Sequence, residues 1–165
     1  MELEEAKRKF IQAWGTFGSS WGISRTMAQV QALLWVSFEP LCADDIMNRL
    51  KISRGNANMN IRALIDWGLV YKELKPGERR EYFVGEKDMW KVVRQIIFHR
   101  KKKELEPVLK MLEKLSHVEG KEGEKEEFIK VIKDIQLFSE KTDRVLDKFI
   151  RSDSSWVMNA FLKII

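Results

Sequence analysis

The chain has 165 residues, 44 % hydrophobic and 33 % charged, with a net charge of +5. That length and mixture suit a folded, helix-rich chain, either one domain with a sizeable core or a small domain plus an appendage, and argue against disorder. The single cysteine, Cys42, excludes an intrachain disulfide and fits a reducing cytoplasm, while the longest uncharged run, residues 10–24, is too short and too glycine-broken to span a bilayer.

Leu3, Phe10, Trp14 and Phe17, with Ile11 beside them, predict a first amphipathic helix that ends near "GTFGSSWG". Ser24 reads as the N-cap of a second helix over 25–38, with Met27, Val30, Leu33, Leu34 and Phe38 on its apolar side and Pro40 beyond its end. "ADDIMNRL" predicts a short third helix with Asp44 and Asp45 at its positive end, and "KIS" the turn that follows. Ser53 then caps a fourth helix that carries Ala57, Ile61, Leu64 and Ile65 inward and stops at Gly68.

Next come "LVYKEL" and "REYFVG", two strand-like runs joined by "KPGE", where Pro–Gly favours a type II turn. From Lys87 an apolar phase runs through Trp90, Val93, Ile97, Leu105, Val108, Leu112 and Leu115, with Pro107 expected to kink or split the helix. "GKEGEKEE" reads as a solvated linker or a frayed helix start. A long helix with Phe128, Ile132, Ile135, Phe138, Val145, Leu146 and Phe149 repeating near seven follows it. A last short helix carries Trp156, Val157, Ala160, Phe161 and Ile164. Three helices, a two-stranded wing and long flanking helices predict a mainly α, winged helix-turn-helix fold. Residues 20–86 form its winged domain, and 1–19 with 87–165 form a helical dimerisation region.

Charge is unevenly placed. Residues 1–50 carry a net −1 and residues 104–165 a net −2, but residues 51–103 hold fourteen basic and six acidic side chains, a net +8. A localised basic segment is the footprint of a polyanion binder. In a helix-turn-helix the second helix enters the major groove, here the helix that Ser53 caps. With Ala57, Ile61 and Leu64 in the core, Gly55, Met59 and Arg62 point away from it. Asn56 and Asn58 flank them, and Arg54 and Asn60 lie nearer the core boundary. Asparagine can read adenine bidentately, arginine can read guanine or hold phosphate, and Gly55 lets the helix N-terminus approach a phosphate. Three asparagines at alternate positions cost helix propensity, which fits a functional use. On the wing, Lys75, Arg79 and Arg80 suit the minor groove or its phosphates. Glu78 is expected to pair with a neighbouring arginine.

The stretches "WGISRTMAQVQALLW", "EPL" followed by "DDI", "ISRGNANMNIRALIDWGLVYK" and "KPGERREYF" together resemble GbsR-type members of the MarR-like transcriptional regulators, over roughly residues 14–88. The resemblance implies a dimeric winged-helix repressor or activator, with DNA contacts at Arg54, Asn56, Asn58, Arg62, Arg79 and Arg80. Glu78 stands where many such proteins have aspartate. Some GbsR-type proteins respond to choline-like compounds, so the resemblance admits an aromatic cage among the six tryptophans. Their helical spacing instead reads as core and dimer packing. The C-terminal helices match no motif that identifies an effector.

No phosphate-cradling glycine loop, zinc-ligand spacing or catalytic serine–histidine–acid set occurs in the sequence. The expectation is therefore a cytoplasmic, non-enzymatic, sequence-specific duplex-DNA binder without metal or cofactor, acting as a homodimer on a pseudo-palindromic operator and open to small-molecule effector control. Its DNA-contacting residues are Ser53, Arg54, Gly55, Asn56, Asn58, Met59, Asn60, Arg62, Lys75, Arg79 and Arg80. The alternative is a winged-helix protein–protein module, which the central +8 disfavours because phosphate contacts dominate nucleic-acid affinity. RNA binding lacks its aromatic–basic stacking platforms.

Overall fold

The structure is a computed structural model that describes residues 1–119 and 122–152, so the expected tail helix with Trp156 and Phe161 lies outside the described residues. The chain divides into two compact units, Met1–Val92 and Val93–Ile165.

In the first unit, α1 (Leu3–Ser20) packs on α2 (Arg25–Val36). The two helices come close because Gly15 and Gly18 present no Cβ: one at Gly18 would stand 2.6 Å from the Ala28 Cβ. Ser24 caps α2 as expected, its Oγ accepting from the Met27 N–H at 3.4 Å. The helix ends at Val36, before Phe38. That residue is 95 % exposed instead of extending the apolar face, because Ser37 turns to extended backbone ahead of Pro40.

A strand that the sequence pattern does not announce follows, β1 (Leu41–Cys42). It leads into α3 (Ala43–Leu50), which Lys51 closes in the left-handed conformation, φ 55°. Helix α4 (Arg54–Asp66) begins at Ser53, whose Oγ accepts from the Asn56 N–H at 3.3 Å. It stops at Gly68 (φ 68°), where the Gly68 N–H bonds Ile65 O at 2.8 Å and the Leu69 N–H bonds Leu64 O at 2.9 Å, the paired closure that a left-handed glycine permits.

Strands β2 (Val70–Leu74) and β3 (Glu81–Gly85) pair antiparallel, with Lys72 opposite Phe83. The wing is thus part of a three-stranded sheet ordered β1–β3–β2, with Leu41 also opposite Phe83. At the tip Gly77 has φ 80° and the Glu78 N–H bonds Lys75 O at 3.1 Å, the type II geometry expected of Pro–Gly. Val30, Leu34, Ile46, Ile61, Leu64, Leu69 and Val70 are under 2 % exposed and form the core beneath α4 and the sheet. Each such side chain contributes about 1.5–3 kcal/mol of burial, which fixes the orientation of α4 on the unit.

Helix α5 (Met89–Arg100) crosses the unit boundary. A π-helical turn (Lys101–Leu105) joins it to α6 (Glu106–Leu115), and α7 (Glu124–Arg151) follows. The expected break at Pro107 takes this form. Pro107 falls in the first turn of α6, where its missing N–H matters least, and the widened turn lies directly upstream. Lys101 leaves that turn to pair with Asp143 at 3.0 Å and Asp147 at 2.9 Å on α7. Leu112 and Ile132 are buried, whereas Phe128, Val131, Ile135, Phe138 and Val145 on α7 remain exposed. Among the described residues no helix is long and apolar enough to cross a membrane.

Candidate nucleic-acid interface

The interface is built at the N-terminal half of α4 and on the wing. Burial of Ala57, Ile61 and Leu64 turns the opposite side of α4 to solvent. Ser53, Arg54, Gly55, Asn58, Met59 and Arg62 are exposed there, Met59 at 62 %. A Cβ built at Gly55 would meet nothing within 4 Å, so this first turn is open to another molecule. The Asn56 N–H is taken by the Ser53 cap, and the N–H groups of Arg54 and Gly55 with the helix dipole favour an anion at this end.

Arg54 does reach outward, but to Asp44 at the start of α3, with Nη2 at 2.6 Å from Oδ1. Both partners are exposed, 69 % and 43 % by side chain, and an ion pair of that kind is worth at most about 1 kcal/mol. A phosphate could therefore take over the guanidinium at little cost.

Asn60 departs from its expected role. It is 3 % exposed, and its Nδ2 donates to the Asn56 backbone carbonyl at 2.8 Å and to Asn56 Oδ1 at 2.7 Å. Asn60 directly precedes buried Ile61 and lies on the inward side of α4 with it. The amide then stays in the helix by bonding back to the residue one turn earlier.

On the wing Lys75 lies over the Tyr82 ring, 4.2 Å from its centroid. Glu78 does not pair with an arginine: the Tyr82 hydroxyl donates to it, and that bond raises the phenol above its ordinary pKa. The reason is the hairpin's own geometry, which brings residue 82 back beside residue 78 while Arg79 and Arg80 project from the turn. Arg79 and Arg80 are exposed and make no ion pair among the described residues. A cleft of about 170 Å³ brings Arg80 together with Arg54 and Asn58. A second, of about 320 Å³, joins Asn58 and Arg62 to Lys72 and Glu81 of the strands. Helix and wing thus form one surface. Lys72, which the sequence reading did not single out, lines this second cleft, its Nζ 2.7 Å from Glu81 Oε1.

The wing is anchored at its base. Glu86 accepts from the Tyr71 hydroxyl at 2.6 Å and pairs with Lys91 Nζ at 2.6 Å, and its carbonyl accepts from Trp35 Nε1 at 2.7 Å. Burial alone would raise the Glu86 carboxyl; the hydrogen bonds from Lys91, Tyr71 and the Asp88 N–H outweigh it and hold the pKa at about 2. At the other end of the sheet, the Cys42 thiol and N–H donate to Asp45 and lower its pKa. Cys42 is thereby a buried capping residue of α3.

Residues 21–81 match the model of the MarR family, and proteins of that family are transcriptional regulators, not enzymes. The solved structure of a transcriptional regulator superposes with a TM-score of 0.68 at 17 % identity, over 88 % of this chain and 95 % of that one. At that identity the likeness is one of fold. No curated protein matches the chain.

Proposed function

We propose that the chain is a MarR-like transcriptional regulator, GbsR-type by the resemblance of its sequence, that binds duplex DNA sequence-specifically as a cytoplasmic homodimer on a pseudo-palindromic operator. The observation that carries this reading is one surface of helix and wing: Arg54 and Asn58 of α4 line a cleft with Arg80 of the wing, and Asn58 and Arg62 line a second with Lys72 of β2. Amide and guanidinium groups on an exposed helix face can bond base edges in the major groove, and free arginines on a hairpin suit phosphates or the minor groove. The central net charge of +8 supplies the nonspecific attraction.

Two features support a homodimer through the helical regions, residues 1–19 and 87–165. Helix α1 exposes Phe10 and Phe17, with Trp21 exposed at its C-cap, and α7 exposes Val131, Ile135, Phe138 and Val145. Apolar stripes of that length on a soluble chain mark an interface. Two winged domains related by a dyad would read half-sites with centres about 34–36 Å, or a multiple of that, apart. For effector control, a groove of about 570 Å³ beside α1 and the end of α2, lined by Arg8, Ile11, Leu33, Glu39, Leu41 and Arg49, offers room. Its mixed charge selects no ligand class.

Selection of bound sites from a random duplex pool tests the proposal. The expected result is a pseudo-palindrome. Recovery of a pool no different from the input would overturn it.

A further inference from the structure

Asn60 is buried on a helix whose outer face carries the candidate base readers, and its hydrogen bonds determine how one of those readers is presented. The backbone carbonyl of Asn56 can only accept a hydrogen bond. The atom of Asn60 at 2.8 Å from it must therefore be the amide nitrogen. The same nitrogen lies 2.7 Å from the Asn56 side-chain amide. Since it donates there too, the Asn56 atom it meets must be Oδ1. Two amides that are individually ambiguous are thus fixed in sequence by one carbonyl.

We infer that Asn60 is a positioning residue for base reading, locking the Asn56 amide with its oxygen toward the helix and its NH₂ outward, so that Asn56 selects a keto base. This rests on the DNA-reading proposal above. Asn56 is the third residue of α4, in the part of a recognition helix that meets base edges. An unconstrained asparagine reads adenine by accepting from N6 and donating to N7 together. With Oδ1 turned toward the helix by its bond from Asn60, the outward side of Asn56 presents its NH₂ donors. Guanine accepts two of them at O6 and N7 and thymine one at O4, whereas adenine offers N7 alone beside an opposing N6 amino group and the cytosine N4 amino group opposes them. Asn58 has no such restraint: it is exposed and bonds neither Asn60 nor Asn56. The two asparagines, chemically identical, then read different bases.

Site selection from random duplex DNA with the full chain tests this, using wild type, Asn56→Ala, Asn56→Asp and Asn60→Ala. Loss of preference at one position in Asn56→Ala identifies the base read. In wild type that position should favour guanine or thymine over adenine and cytosine on the order of tenfold. Asn56→Asp leaves Asn60 its acceptor but presents oxygen outward, and should reverse the preference to adenine or cytosine. Asn60→Ala frees the Asn56 amide and should admit adenine at that position while the rest of the site is unchanged. The inference is overturned if wild type already selects adenine there, if Asn56→Asp does not reverse the preference, or if a motif is enriched that Asn56→Ala does not alter. Should Asn60→Ala fail to fold, Asn56→Asp decides alone. Absence of any enriched motif would instead bring down the DNA-reading proposal on which the inference stands.

Discussion

Replacing Glu86 by glutamine should loosen the base of the wing in a pH-dependent way. Glu86 is 13 % exposed by side chain and holds Lys91, Tyr71 and the Asp88 N–H in one cluster. Its carboxyl titrates at about 2, against an ordinary 4.5. At about 1.4 kcal/mol per pH unit the whole difference is worth about 3 kcal/mol. Lys91 is 42 % exposed, so solvent screens part of that, and a contribution of about 1–2 kcal/mol is the appropriate expectation. Glutamine keeps a hydrogen-bond acceptor but loses the charge.

The sign follows from linkage. The folded pKa is depressed, so the contribution is fully present above about 4.5 and is lost as pH falls toward about 2. Urea unfolding of wild type and Glu86→Gln at a series of pH values between 7 and 3 should show the variant less stable at pH 7 and the gap narrowing below pH 4.5. A gap that stays constant with pH, or no gap at pH 7, would refute the view that the ionised carboxylate holds the wing base.

Changing both Arg79 and Arg80 to alanine should weaken binding to every duplex and flatten the salt slope by about one unit per lost phosphate contact; an unchanged slope in a salt titration would remove the wing from the phosphates. Alanine at Arg62 or Asn58 should cost about 1–3 kcal/mol on the best site and relax its base preference, as read by competition binding. If both variants keep affinity and preference, the outer face of α4 does not read DNA. Ile135→Asp places a charge on the exposed stripe of α7 and should dissociate the proposed dimer in sedimentation while far-UV circular dichroism keeps its helical signal. A variant that sediments as a dimer would move the interface to α1.

Local chemistry made much of the fold legible. Ser24 and Ser53 mark the starts of α2 and α4, Gly68 the end of α4, and Pro76–Gly77 the wing turn, because caps and turns depend on residues close in sequence. β1 was hidden because two residues carry no periodicity, and its pairing depends on β3, some forty positions away. Phe38 misled because apolar phase alone does not say where a helix stops.

In the site, the same periodicity that exposes Asn58, Met59 and Arg62 placed Asn60 at the core boundary, and only packing decided which side it took. Its spacing of four from Asn56 was readable, but the carbonyl that orients both amides was not. Tyr82 and Glu78 are likewise four apart, yet their bond is made by a hairpin whose tip length sets the register.

The central claim is that this helix and wing recognise a DNA sequence. Its most direct measurement is the affinity of the chain for its selected site against a scrambled duplex of equal length at one fixed, near-physiological salt concentration. A specific regulator should prefer its site by about 10³-fold or more. A ratio within about threefold, with binding to both duplexes falling equally as salt rises, would reduce the surface to a nonspecific polyanion binder and contradict the account.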